Sequence, residues 1–165
     1  MADLVTHLCS GLLVSGALAP RRAGVLTMGA LLPDLGSRMP ALALEALVRM
    51  GIPVPEVAIH PWAVLHMPLG TMLGCALLAG LFPEQRRVGV FGWMVLGAAI
   101  HYGLDLLQDH HGCGYFLAFP ATTSRWELGL IGSEQTVVWA PWLALATAVV
   151  WSLRWWTSRR KSSDR

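Results

Sequence analysis

This chain contains a series of apolar segments long enough to cross a lipid bilayer. A hydrocarbon core about 30 Å thick is crossed by roughly 20 helical residues. Residues 62–82, 88–107 and 136–156 reach that length. Only 13% of the residues are charged, whereas soluble domains carry about 25%. Both observations predict a helical membrane protein rather than a soluble domain.

Two shorter apolar segments, residues 4–19 and 24–32, predict a helical hairpin. We expect Pro33 to end its second helix, because proline has no N–H and its ring clashes with the preceding turn. A short amphipathic helix at the membrane interface is predicted over 39–50. The expected fold class is therefore all-α, a polytopic bundle of about five transmembrane helices with a short interfacial helix. Without a repeat or a composition break, residues 1–165 form a single domain.

The basic residues predict the orientation of the bundle, because cytoplasmic loops carry an excess of Lys and Arg. With five crossings, the turns at residues 21–22 and 86–87 and the basic tail 157–165 all lie inside. We expect a multi-pass protein of the cell inner membrane with a cytoplasmic C-terminus. The N-terminus has no basic leader, so we expect the first helix to be retained. The basic residues left on the outer side are Arg38, Arg49 and Arg125.

Other sequence features exclude several classes of function. The net charge is only +2, and the basic residues lie in loops, so we expect no nucleic-acid partner. Three cysteines without paired spacing argue against a disulfide framework. We find no Gly-rich phosphate loop, dinucleotide fingerprint, Gly-x-Ser-x-Gly elbow or His-Glu-x-x-His pair. Small residues, Gly70 with Gly74 and Gly92 near Ala99, indicate close helix packing.

Histidines and acidic residues concentrate on the predicted outer half. His101 and Asp105 are four residues apart, so a helix places both on one face. An unpaired carboxylate or imidazole is costly in hydrocarbon, and a divalent cation would give each a partner. We therefore predict a metal site at the outer face. Its expected ligands are His7, Asp34, His66, His101 and Asp105, with His111 as a further ligand from the following loop.

The mixture of His and Asp favours zinc, with manganese or iron as alternatives, over calcium or magnesium, which prefer all-oxygen shells. A metal with an open coordination position lowers the pKa of bound water and promotes hydrolysis. Asp34 and Asp105 are the candidate catalytic residues, because either could accept a proton from that water. Hydrolysis of an ester or phosphodiester is the expected reaction class.

The order of the motifs resembles a known family. Thr6-His7, Pro33-Asp34 and His101-x3-Asp105, followed by the aromatic segment 115–120 and by 125–129, are similar to motifs of the YdjM-like membrane-bound metal-dependent hydrolases. The resemblance covers residues 6 to 129. It implies a distant relationship to zinc-dependent phospholipases C and single-strand nucleases, which hydrolyse phosphodiesters with clustered zinc ions. His111, six residues after Asp105, fits that relationship.

These observations lead us to expect a membrane-bound metal-dependent hydrolase that acts on a phosphoester, of a lipid or another membrane-proximal substrate. The alternative is a non-catalytic membrane protein in which the same residues hold a structural metal or pair with one another. The segment around His66 favours that alternative, because it lacks the Arg and Ser of the family pattern. A third hypothesis is metal or proton transport. No ionisable residue is predicted in the inner halves of the spans, which argues against transport.

Overall fold

The computed structural model describes residues 4–58, 60–109, 114–132 and 134–163. This part of the chain is mostly helical, so the all-α fold class is confirmed. Two short strands, β1 (Gln108–Asp109) and β2 (Ile131–Gly132), pair in parallel after the fifth helix. The helices are α1 (Leu4–Leu18), α2 (Ala23–Arg49), α3 (His60–Val64), α4 (Pro68–Gly80), α5 (Glu84–Leu107) and α6 (Gln135–Ser163).

Helix α2 continues through both of its prolines. The prediction that Pro33 ends this helix is therefore wrong, and the interfacial helix predicted over 39–50 is the C-terminal half of α2. An internal proline costs a helix about 3 kcal/mol, a local penalty that tertiary packing can outweigh. Pro33 is buried, and α2 packs against α5, α1 and α4. The packing of α2 keeps the helix continuous.

The predicted span over 62–82 is divided into two helices by a turn at 65–67. Pro68 begins α4, and Met67 before it is extended (φ −100°, ψ 149°), because a following proline disfavours the helical conformation. Thr71 Oγ1 donates to the Leu65 carbonyl at 2.8 Å and stabilises the turn. A Cβ on Gly70 would lie 2.1 Å from the Val64 carbonyl oxygen, so this tight turn requires glycine. The prediction of a single span was wrong.

Helices α2 and α5 pack with their backbones in direct contact at two glycines. A Cβ on Gly29 would lie 2.0 Å from the carbonyl oxygen of Met94, and one on Gly97 would lie 2.0 Å from that of Leu26. No larger residue permits so close an approach. This crossing holds the middle of α5 against the N-terminal third of α2.

Helix α6 packs on α1 through side chains that donate to α1 carbonyls. Thr147 Oγ1 donates to Cys9 (3.1 Å), and Trp151 Nε1 donates to Leu12 (3.1 Å). The opposite face of α6 exposes large apolar residues, among them Val138, Trp142, Leu145, Val149 and Leu153. Within the described ranges, two helices are long and apolar enough to cross a membrane, α5 and the part Gln135–Arg160 of α6.

Candidate metal centre

The structure brings five of the six predicted ligands together. His7 lies in the first turns of α1, Asp34 in the middle of α2, and His101 and Asp105 near the end of α5. His66 lies in the turn between α3 and α4. His7, Asp34, His101 and Asp105 are 0–1% exposed, and the His66 side chain is 9% exposed. These residues form one buried group, which we call the His/Asp cluster.

The ligand atoms of the cluster lie close enough together to surround an ion. Asp105 carboxylate oxygens lie 3.3 Å from His7 Nε2, 3.5 Å from His66 Nε2 and 3.2 Å from His101 Nε2. Asp34 oxygens lie 3.3 Å from His66 Nε2 and 3.9 Å from His7 Nε2. Ligand atoms around one tetrahedral zinc, each about 2.1 Å from the metal, lie roughly 3.4 Å apart. The spacing of the cluster therefore fits a bound metal.

Two groups of ligand atoms share one histidine. His7, His101 and Asp105 form the first group, and Asp34, His66 and His101 form the second. Within each group the atoms lie within 4.8 Å of one another. The cluster can thus hold a divalent metal ion, and His101 belongs to both groups.

The contact made by His101 Nδ1 identifies which ring nitrogen carries the proton. Nδ1 lies 2.8 Å from the carbonyl oxygen of Ala30, and a carbonyl only accepts, so Nδ1 carries the proton. In the neutral ring, Nε2 then presents a lone pair to His66 Nε2 at 3.2 Å and to Asp105. Metal-binding histidines commonly donate their other N–H to a backbone carbonyl in this way. His101 is therefore oriented as a metal ligand would be.

Several buried polar atoms of the cluster make no hydrogen bond within the described part of the chain. They are both ring nitrogens of His7 and all four carboxylate oxygens of Asp34 and Asp105. The groups nearest to them are the other members of the cluster, whose nitrogens lie at ion-pair distance, and Arg38, whose Nε lies 3.0 Å from Asp34 Oδ1. Buried carboxylates without hydrogen bonds are costly. A shared cation, or protons shared among the imidazoles, would remove that cost.

Arg38 and Tyr115 adjoin the cluster, and neither was among the predicted site residues. Arg38 Nε lies 3.0 Å from Asp34 Oδ1, and its position one helical turn after Asp34 could have indicated the pair. The Tyr115 ring stacks on His66 at 5.5 Å. Burial raises the pKa of the Tyr115 phenol above its ordinary value, and the Asp105 carboxylate raises this pKa further. Tyr115 therefore presents a neutral hydroxyl beside the cluster.

A pair of hydroxyl groups holds the turn of His66 against α5. The Tyr102 hydroxyl and Thr71 Oγ1 lie 2.6 Å apart. Because Thr71 donates its proton to the Leu65 carbonyl, Tyr102 is the donor of this hydrogen bond. The Tyr102 ring also makes edge contacts with His66 and His101. This pair positions His66 relative to the ligands on α5.

An open pocket of about 360 Å³ adjoins the cluster. It lies between the C-terminal half of α2, the segment around α3 and the segment 114–116, and His66 is part of its wall. Tyr115 is held there by backbone hydrogen bonds with Trp126. The lining residues are Ser37, Arg38, Ala41, Trp62, Ala63, His66, Met67, Gly114, Tyr115 and Phe116.

The loop after α5 contains the sixth predicted ligand. His111, the sixth predicted ligand, lies outside the described residues, together with His110 and Cys113. Asp109 lies in β1 and belongs to neither group of ligand atoms.

No family model, curated protein or solved structure matches this chain. The case for a metal centre therefore rests on the geometry of the His/Asp cluster.

Proposed function

We propose that this protein is a membrane-bound, metal-dependent hydrolase of phosphoesters. The observation that carries the proposal is the convergence of three imidazoles and two carboxylates, from four separate segments, beside an open pocket. The resemblance to the YdjM-like hydrolases belongs to this proposal. Zinc is the proposed metal because imidazole and carboxylate ligands suit it, with manganese or iron as alternatives.

The residues of the cluster take separate roles in this proposal. His7, His66, His101, Asp34 and Asp105 hold the metal, with His111 as a further ligand. A bound divalent ion polarises a phosphoryl oxygen and lowers the pKa of its water. Asp34 and Asp105 are the proposed proton acceptors, and the ion pair with Arg38 orients the Asp34 carboxylate. The Tyr115 hydroxyl is a neutral donor that faces the same site.

We further propose that the chain crosses the inner membrane about five times, through α1, α2, the α3–α4 segment, α5 and α6. The apolar exposed face of α6 supports contact with lipid. Basic residues lie at the helix ends remote from the cluster, including Arg22 after α1, Arg86 at the start of α5 and Arg159 in the last turns of α6. By the positive-inside rule, the cluster lies on the outer side and the C-terminus in the cytoplasm. The lipid bilayer is thus the proposed partner, and no nucleic acid is expected.

A structural role for the same cluster is the second candidate. Its ligands are almost completely buried, and the His7 and His101 rings stack at 3.8 Å. A metal, or protons shared with the carboxylates, would then lock α1, α2 and α5 together without catalysis. In that case the protein binds no substrate in the adjacent pocket.

Metal analysis and phosphodiester hydrolysis separate these candidates. We expect purified protein to contain at least one metal per chain and to hydrolyse bis(p-nitrophenyl) phosphate. Asp34→Asn is compared with Glu45→Gln, because both acids pair with an arginine four residues later in α2. We expect the first substitution to remove metal and activity and the second to leave both unchanged.

Each result has a separate meaning. A folded wild-type protein that retains no metal, even after incubation with zinc, would overturn the metal centre. Metal without hydrolysis would favour the structural role. Equal metal content in Asp34→Asn and Glu45→Gln would exclude Asp34 as a ligand.

A further inference from the structure

The pocket beside the cluster combines one strongly basic side chain with apolar walls. Of the described residues that line it, Arg38 alone is permanently charged, and none is acidic. The Arg38 side chain is 35% exposed and contacts the ligand Asp34. Guanidinium groups bind phosphate oxygens through a planar array of N–H donors. Arg38 therefore places an anion-binding group between the metal ligands and the pocket.

The remaining wall is apolar and aromatic. Trp62, Met67 and Phe116 line the pocket together with small residues of α2 and α3. Arg125 lies over the Phe116 ring, 5.0 Å from its centroid, so a second guanidinium group stands next to this wall residue. A free inorganic anion or a sugar phosphate would leave these apolar surfaces wet. An alkyl chain attached to the phosphate would cover them.

The volume of the pocket limits what it can enclose. Ligand pockets span about 300–1,000 Å³, so a pocket of about 360 Å³ holds a phosphate head group and the first part of one chain. The exposed apolar residues Met39 and Leu42 lie on the same half of α2. These two side chains provide an apolar surface for the rest of the alkyl chain.

We propose that this pocket binds the phosphate head group of a lipid, with the phosphate at Arg38 and the proximal alkyl chain against Trp62, Met67 and Phe116. This proposal rests on the proposed function, since it names the class of substrate for the same site. It also assigns Arg38 as a residue that recognises substrate, in addition to its contact with Asp34.

Binding of dodecyl phosphate to the detergent-solubilised protein tests the proposal without requiring turnover. Inorganic phosphate and dodecyltrimethylammonium are the comparison probes, and every titration is made on the metal-loaded and on the chelator-treated protein. Burial of two methylene groups strengthens binding about tenfold. We therefore expect dodecyl phosphate to bind at least about tenfold more tightly than inorganic phosphate. We also expect it to bind more tightly than dodecyltrimethylammonium, because Arg38 attracts the anionic head group and repels the cationic one.

Matched substitutions in α2 locate the binding site. Arg38→Gln should weaken binding of dodecyl phosphate about tenfold or more, whereas Arg49→Gln, at an exposed arginine of the same helix, should not. Ala41→Leu fills the pocket and should weaken binding while metal content stays at the wild-type level. Ala43→Leu, at an exposed position two residues later, is its control.

The outcomes distinguish this inference from the proposed function. Selective binding of dodecyl phosphate without any hydrolysis would support the pocket and count against the enzyme. Hydrolysis of bis(p-nitrophenyl) phosphate with equal affinity for inorganic and dodecyl phosphate would keep the enzyme and overturn the lipid head group. Binding that neither Arg38→Gln nor Ala41→Leu weakens would overturn the assignment of this pocket.

Discussion

Replacing glycine by alanine should lower the free energy of unfolding at Gly97, where α5 contacts α2. The same replacement should raise it at other positions of this helix. A Cβ at Gly97 would lie 2.0 Å from the Leu26 carbonyl oxygen and 2.7 Å from the Ala30 nitrogen. Ordinary Cβ contacts begin at 3.4 Å. Because the neighbouring atoms are backbone, α5 can accommodate Gly97→Ala only by moving away from α2 by roughly an ångström or more.

Two other glycines of α5 are the controls, because a Cβ at Gly92 or Gly103 would meet nothing within 4 Å. Alanine stabilises a helix relative to glycine by about 0.5–1 kcal/mol. We expect Gly92→Ala and Gly103→Ala to gain free energy of unfolding in that range. Overpacking typically costs 1–3 kcal/mol. Because Gly97→Ala must displace a whole helix, we expect it to lower the free energy of unfolding by about 2 kcal/mol or more.

Thermal unfolding in detergent measures these differences. For a chain of this length, 1 kcal/mol shifts the midpoint by about 2–4 °C, so we expect Gly97→Ala to unfold roughly 4–8 °C below wild type. His101 follows Gly97 by one helical turn and donates to Ala30, so the same substitution should reduce bound metal. If Gly97→Ala matched Gly92→Ala in midpoint and metal content, the backbone contact between α2 and α5 would be refuted.

Three further predictions concern the cluster and its supports. Asp105→Asn should lower the unfolding midpoint in buffer with zinc, because it removes a metal ligand. In buffer with chelator the midpoint should not fall, because the substitution removes a buried charge. An equal fall in both buffers would indicate that Asp105 pairs with protonated histidines. Thr71→Val should lower the free energy of unfolding by about 1–3 kcal/mol, because it leaves the Tyr102 hydroxyl and a carbonyl without partners. Tyr102→Phe should lower it by only about 0.5–1.5 kcal/mol. The reverse order in denaturant titrations would contradict the hydrogen-bond directions. Trp151→Phe should lower the free energy of unfolding by about 1 kcal/mol, because it removes the hydrogen bond to the Leu12 carbonyl of α1. The metal content should stay unchanged. Loss of metal would mean that α6 contributes to the geometry of the cluster.

The local parts of the fold and the site were predictable from the sequence. The lengths of the apolar segments anticipated α1, α5 and α6, because helix formation and membrane span depend on contiguous residues. The i,i+4 spacing placed His101 and Asp105 on one face, and in the structure their side chains lie 3.2 Å apart. Relations within one helix follow from its 3.6-residue period alone.

The failed predictions involve proline and glycine residues whose effect depends on distant packing. Pro33 does not end α2, because the helix is buried around this proline by packing against other segments. The predicted packing residue Gly92 faces open space, whereas Gly29 and Gly97 form the contact between α2 and α5. Every glycine permits a close approach of two helices, and only the partner helix decides which glycine is used.

The sequence was therefore sufficient to identify the helical character of the chain, its apolar segments and the residues chemically suited to a metal. Only the tertiary structure shows that His7 meets Asp105 at 3.3 Å, that His101 donates to Ala30, and that Tyr115 adjoins the cluster. The two kinds of information differ in the sequence separation over which they act. Helix period and hydropathy act over neighbouring residues, whereas these contacts join distant segments, whose separation depends on how closely α1, α2 and α5 can pack.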